Sequence, residues 1–134
     1  MSDCAPINGQ PNCLYNLADN RLNRSPKYSA VLGSEYETPL PANLTFGVRA
    51  EVNYISAQYY SVFNSLDSSE PGHGVVNLLA NLANDDAGWK VKIFVTNLLD
   101  KFYYTGRYDN ATVLTESGEF GRPREFGAKV SKRF

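Results

Sequence analysis

The chain has little of what marks most function classes. Over 134 residues, 13 Lys and Arg against 14 Asp and Glu leave a net charge of -1, with a single His. Without a basic excess or a Lys/Arg run, it lacks the electrostatic footprint of a nucleic-acid binder or a polybasic membrane anchor, so neither nucleic acid nor a lipid headgroup is expected as a charge-driven partner. Long apolar runs are absent as well. Stretches such as Ile93-Phe94-Val95 fall far below the ~18 residues a helix needs to cross a bilayer, and no transmembrane helix is expected. The opening MSDCAPINGQPNC has neither a basic n-region nor an apolar h-region and does not read as a secretory signal. The chain is then either cytosolic or accompanied by a signal that lies outside it.

Cysteine and histidine are equally scarce. Cys4 and Cys13 are the only cysteines, and the Pro-, Gly- and Asn-rich segment between them closes readily into a small disulfide loop in an oxidising compartment, with two free thiols as the alternative. A zinc site needs about four ligands, and His73 stands far from both cysteines, so no metal or other cofactor is expected. One His without an arranged Ser or Cys supplies no triad. His73, within Pro71-Gly72-His73-Gly74, reads as a solvated histidine of a long loop. Asp85 and Asp86 read as turn residues, and Gly118-Glu119-Phe120-Gly121 lacks the Lys-Ser/Thr of a phosphate loop. No acid, base and nucleophile converge, which argues against an enzyme.

What is present is apolar and aromatic: 43% hydrophobic residues, with 9 Tyr, 7 Phe and 1 Trp, too much for intrinsic disorder. The dominant pattern has a period of two. Across 44–54, Leu44, Phe46, Val48, Ala50, Val52 and Tyr54 alternate with Thr45, Gly47, Arg49, Glu51 and Asn53. Residues 89–95 and 126–134 repeat the scheme, with Lys132 interrupting the apolar side of the latter, and 28–36 follows it more weakly. Residues 75–84 fit both a helical stripe and a strand. The tight 84–88 connection to an unambiguous strand favours the strand, because hairpin partners are usually strands.

Five strands result, joined by connections of alternating length. Residues 38–42 and 84–88 are short, whereas 57–74 and 99–124 are long, polar and rich in Tyr, Ser, Gly and Asp. Short turns at one end and long loops at the other are the pattern of a transmembrane β-barrel, and aromatics at strand ends such as Tyr28, Tyr54, Trp89 and Phe134 suit its interfacial girdles. A soluble sandwich would alternate too, but with mostly short connections. The expected fold is therefore all-β: an antiparallel meander of about five long strands, an incomplete part of a transmembrane barrel.

Three stretches carry a more specific likeness. WKVKIFVTNLLDKFYY at 89–104 continues its strand with Asn97, Leu98, Asp100 and Tyr103 in an Asn-Leu-x-Asp-x-x-Tyr pattern. GRPREFGAKVSKRF at 121–134 leads into its strand through Gly-x-Pro-Arg and ends on Arg-Phe, and NLADNRLNRSPKYSAVLGSEY spans 16–36. In order and spacing these resemble the last strands of a TonB-dependent outer-membrane receptor, with Asp19 in place of a frequent Gly and Lys132 at a position often aromatic. The resemblance implies an outer loop at 1–26, which would hold the cysteine pair, and barrel strands and loops over 27–134. It implies a Gram-negative outer-membrane location and import of a scarce solute of iron-siderophore, cobalamin or oligosaccharide type.

The resemblance also implies partners: outer-membrane lipid, the barrel-assembly machinery, an N-terminal barrel and plug that this stretch does not contain, and through them the TonB complex. Phe126, Gly127, Val130 and Phe134 would form the assembly signal. Ligand-contact candidates in the long loops are Tyr59, Tyr60, Tyr103, Tyr104, Arg107 and Tyr108, because flat rings and a guanidinium recognise conjugated or sugar surfaces; the alternative for these rings is an upper aromatic girdle. Arg49, Glu51, Lys90 and Lys92 would face the plug, or pair across strands within the wall. A soluble all-β domain that binds its ligand with the Tyr-rich loops is the other function these residues allow.

Overall fold

A computed structural model describes residues 2–7, 10–15, 17–110 and 115–133, with side chains described over 17–108 and 117–133. Among these residues there is no helix. Eleven strands form in chain order among the described residues: β1 (Ser2–Ile7), β2 (Gln10–Tyr15), β3 (Ser29–Leu40), β4 (Leu44–Ile55), β5 (Gln58–Tyr59), β6 (Ser69–Glu70), β7 (His73–Asn84), β8 (Trp89–Thr96), β9 (Tyr104–Asn110), β10 (Thr115–Phe120) and β11 (Glu125–Lys132). The long strands make one antiparallel five-stranded sheet in the order β11-β8-β7-β4-β3. The sheet is open, so β3 and β11 each have one neighbour in it.

Register decides what the alternation means. Leu32, Val52 and Val76 are aligned across three strands, as are Ala80, Ile93 and Ala128 across the other side. Because directly opposed residues of an antiparallel pair share a face, the apolar sets of all five strands fall on one side of the sheet. That side is uncovered: Leu32 is 74% exposed, Ile93 57% and Val130 72%. Leaving such side chains in water forgoes about 1.5–3 kcal/mol each, so a face of this size calls for an apolar solvent or partner. No second layer covers it among the described residues, which is what separates this sheet from a sandwich.

The opposite face collects Glu35, Arg49, Glu51, Asn77, Asn81, Lys92 and Lys129. Arg49 lies 3.8 Å from Glu35 across the strand pair, the pairing expected within a wall, and 3.2 Å from Glu51 on its own strand.

The two ends differ as the loop lengths predict. At one end the β3–β4 and β7–β8 turns are short and tied together: Asn43 Nδ2 donates to Asp86 Oδ2 at 2.5 Å, and Asn84 Nδ2 to the Ala42 carbonyl at 3.1 Å. Asp86 is thus a turn residue with a partner, and Gly88 supplies the positive φ of 68° that closes the β7–β8 turn. β3 runs through Pro39 to Leu40, further than the 28–36 strand expected from the pattern. Its edge position explains this, since a proline removes a ladder donor that an edge strand can spare.

At the other end the long connections are more ordered than polar loops. Residues 57–74 include the short β5–β6 pair, and 99–124 includes the β9–β10 hairpin. Near the N-terminus β1 and β2 form a hairpin in which Cys4 and Cys13 are direct register partners. Their side chains lie outside the described residues, as does Phe134.

Candidate functional site

The long-loop end is laced into one assembly by side chains from three segments. Arg21 N donates to Asn64 Oδ1 at 2.7 Å, and Asn64 Nδ2 donates back to the Arg21 carbonyl at 3.0 Å. Arg24 N donates to the Tyr59 carbonyl at 2.7 Å. Tyr60, 8% exposed, donates its hydroxyl to the Tyr104 carbonyl at 2.6 Å, joining the β5 segment to the β9–β10 hairpin. Burial pushes the Tyr60 phenol above its ordinary range, against a smaller opposing effect of the Gln58 amide.

The base of the hairpin is closed by the residues of the Asn-Leu-x-Asp pattern. Asn97 is 2% exposed and takes a left-handed φ of 50°. Its Nδ2 donates to the Lys101 carbonyl at 2.9 Å and the Arg122 carbonyl at 3.0 Å, and its Oδ1 accepts from Lys101 N at 2.8 Å. Asp100, also left-handed at 51°, accepts from Arg124 N at 3.0 Å through Oδ1. The two sequence patterns flanking residues 97–124 are thus the two jaws of one clamp. Its purpose is geometric: it fixes where the hairpin leaves and rejoins the sheet.

Tyr103, the last residue of the pattern, stacks on His73 with ring centroids 4.4 Å apart. Gly121 lies against the Tyr103 ring, where an added Cβ would fall inside the ring atoms. His73 is not the solvated loop residue that its Pro-Gly-His-Gly setting predicts. It opens β7, is 6% exposed, and places Nδ1 3.6 Å from Glu70 Oε1, both side chains being buried. Local turn residues hid this, because the ring is buried by Tyr103 from a segment thirty positions away. Below the stack, on the charged face of the sheet, a concavity of about 590 Å³ is lined by Asn53, Asn77, Tyr103, Phe120 and Arg122 among others.

The remaining candidates sit on the hairpin and β5. Arg107 Cζ lies 4.6 Å from the Tyr104 ring centroid, and its Nη1 donates to the Ser69 carbonyl at 3.0 Å. Arg24 reaches Tyr108 from the side: its Cζ is 5.6 Å from the ring and its Nη2 donates to the hydroxyl at 2.7 Å. Arg21 lies 5.8 Å from the Tyr59 ring. Tyr104, Phe102 and Phe120 form a ring cluster with centroids 5.1 to 5.3 Å apart.

The structure therefore gathers Tyr59, Tyr104, Arg107 and Tyr108 at one mouth, and commits Tyr60 and Tyr103 to internal contacts. Arg21 and Arg24 complete the group, and the sequence does not mark them, since nothing local shows which arginine will meet which ring. None of the three arginines forms an ion pair with a described carboxylate. Of the residues expected to form an assembly signal, Phe126 and Val130 are exposed on the apolar face, and Gly127 lies on the other face beneath the Phe94 ring.

An open antiparallel wall with one apolar and one charged face, short turns below and laced loops above, is an unclosed part of a β-barrel. A solved structure agrees at the level of fold. The chain is similar to the ferric yersiniabactin uptake receptor FyuA from Yersinia pestis, with a TM-score of 0.75 and 18% identity over 85% of this chain. It spans 17% of that receptor's length. No protein-family model matches the chain, and no curated protein does.

Proposed function

We propose that this chain is a C-terminal part of the wall and outer mouth of a TonB-dependent receptor in a Gram-negative outer membrane. The observation that carries the reading is the uncovered apolar face backed by a charged one. In lipid, that face is solvated by acyl chains while the charged face borders an aqueous bore. Edge strands β3 and β11 present backbone donors and acceptors that lipid cannot satisfy, at several kcal/mol each, so further strands must complete the wall. Barrel-assembly machinery would recognise β11 through Phe126, Gly127, Val130 and Phe134.

The function is binding and uptake of a scarce solute, driven from the inner membrane through a plug and TonB, with no bond made or broken. Among iron-siderophore, cobalamin and oligosaccharide solutes, the mouth favours an anionic, flat one. Arg21, Arg24 and Arg107 stand against tyrosine rings and form no ion pair with a described carboxylate, and guanidinium groups beside aromatics attract anions and conjugated surfaces.

Trp89, the single tryptophan, tests the reading from the apolar face at the short-turn end. In outer membranes of the host, the chain should resist extraction by high salt and carbonate. In vesicles its fluorescence should be quenched by lipids brominated near the headgroup. Recovery as a soluble protein without detergent, with no quenching, overturns the proposal in favour of a soluble binding domain.

A further inference from the structure

The β1–β2 hairpin is used by neither the wall nor the mouth. It forms a two-stranded sheet of its own, and one residue separates Tyr15 from the loop that Arg21 and Arg24 lace to the long-loop end. A two-stranded hairpin alone is marginally stable in water, and this one brings only Ile7, Leu14 and Tyr15 as large apolar residues. Burial alone is a weak brace for it.

Register supplies a stronger one. Ile7 is partnered with Gln10, Pro6 with Pro11 and Cys4 with Cys13. Opposed residues of an antiparallel pair alternate between hydrogen-bonded and non-hydrogen-bonded positions. Proline has no N–H to give to a ladder, so Pro6 and Pro11 mark a non-hydrogen-bonded position, and Cys4 and Cys13, two residues further along each strand, occupy another. Directly opposed Cβ atoms stand about 4.5 Å apart at such positions and about 5.5 Å apart at hydrogen-bonded ones, whereas a disulfide spans about 3.5–4.5 Å between its Cβ atoms. Asn8-Gly9, the sequence between the strands, is favoured in two-residue reversals and pins this register against slippage.

We propose that Cys4 and Cys13 are a site of oxidative cross-linking, and that the cross-strand disulfide formed there is what holds the hairpin folded. The reacting partner is a protein disulfide of an oxidising compartment. One cysteine thiolate attacks that disulfide to give a mixed disulfide, and the other thiolate then displaces the partner. Two electrons and two protons leave with the partner, which departs as a dithiol. The proposal does not rest on the barrel-wall reading, since any oxidising compartment supplies such a partner.

The test takes the full chain from its host and denatures it in iodoacetamide, so that free thiols are alkylated before they can exchange. Trypsin releases residues 1–21 as one peptide, because Arg21 is the first basic residue. Mass spectrometry should find that peptide unalkylated and lighter by two hydrogens than its reduced form, and alkylated at both cysteines only after dithiothreitol. Direct alkylation of either cysteine, or two copies of the peptide joined to each other, overturns the proposal. Cys13→Ser combined with Asn12→Cys moves one thiol to the other side of the hairpin. Its equilibrium constant for bond formation against glutathione should fall at least about tenfold; an unchanged constant shows that register does not select the pair and overturns the proposal.

Hydrogen exchange on the full chain in neutral-detergent micelles separates the bond from its role. Reduction should speed exchange in residues 2–15 about a hundredfold, the scale of a cross-link that closes residues 4–13, while residues 97–104 and 121–124 stay protected. Exchange in 2–15 that reduction leaves unchanged, or that rises equally across the whole chain, overturns the bond as the brace of the hairpin.

Discussion

Asn97 is the residue whose replacement is most informative, because it performs two separable tasks. Its side chain makes three hydrogen bonds that hold residues 97–101 to the Arg122 carbonyl, and its backbone sits at a φ of 50°. Asn97→Ala removes all three bonds. Lys101 and Arg122 lie near the surface, so water partly rehydrates the freed groups, and each bond is worth about 0.5–1 kcal/mol rather than the upper end of its range. Left-handed backbone adds about 1 kcal/mol for Ala, a penalty that Gly escapes. The expected cost is therefore about 3 kcal/mol for Asn97→Ala and about 2 kcal/mol for Asn97→Gly.

Hydrogen exchange read by mass spectrometry on the peptides covering 97–104 and 121–124 checks this. A loss of about 2 kcal/mol raises the opening equilibrium about thirtyfold, with Ala several-fold beyond Gly, while the centres of β4 and β7 remain protected. Uniformly faster exchange across the sheet, or Gly as costly as Ala, would refute the clamp and its assignment to both tasks.

Three further outcomes follow from the geometry. Within a barrel completed by the further strands and folded in vesicles, Ile93→Arg on the apolar face should cost about 2–4 kcal/mol, measured by urea titration, whereas Arg49→Gln on the other face should cost under about 1 kcal/mol; equal costs would refute the assignment of the faces. Gly127→Ala should destabilise the sheet by displacing Phe94, and Phe94→Ala in the same chain should recover part of the loss, a coupling of about 1 kcal/mol or more in a double-mutant cycle. Tyr60→Phe should cost about 1 kcal/mol at neutral pH through the lost bond to the Tyr104 carbonyl. Because folding raises the Tyr60 pKa, its neutral form contributes fully below the unfolded value of about 10, and that contribution is lost as pH climbs through the higher folded value. The stability gap between wild type and Tyr60→Phe should shrink over that alkaline range, with late tyrosinate absorbance marking the same residue.

Much of the wall was legible from residues alone. Alternation is a local rule: a pleated strand sends successive side chains to opposite faces, so Leu44 through Tyr54 announced both a strand and its two chemistries without reference to any neighbour. The helix-or-strand ambiguity of residues 75–84 yielded to its hairpin context, which is also local, and β7 forms there with Trp89 opposite Asn84. Turn chemistry marked the short end for the same reason.

What only the tertiary structure decided involves partners distant in sequence. Register placed five separate apolar stripes on one side, and packing left that side bare. Asn97 and Arg122 stand 25 residues apart, so two motifs that look independent along the chain are revealed as one clamp only when the intervening hairpin folds back. The local sequence around His73 points to solvent because the ring's burial comes from Tyr103 and Glu70, and nothing near Arg24 points to its ring, Tyr108, which lies 84 residues away. Side-chain direction is written into short stretches of sequence, whereas which surfaces meet depends on chain reversals that no short stretch encodes.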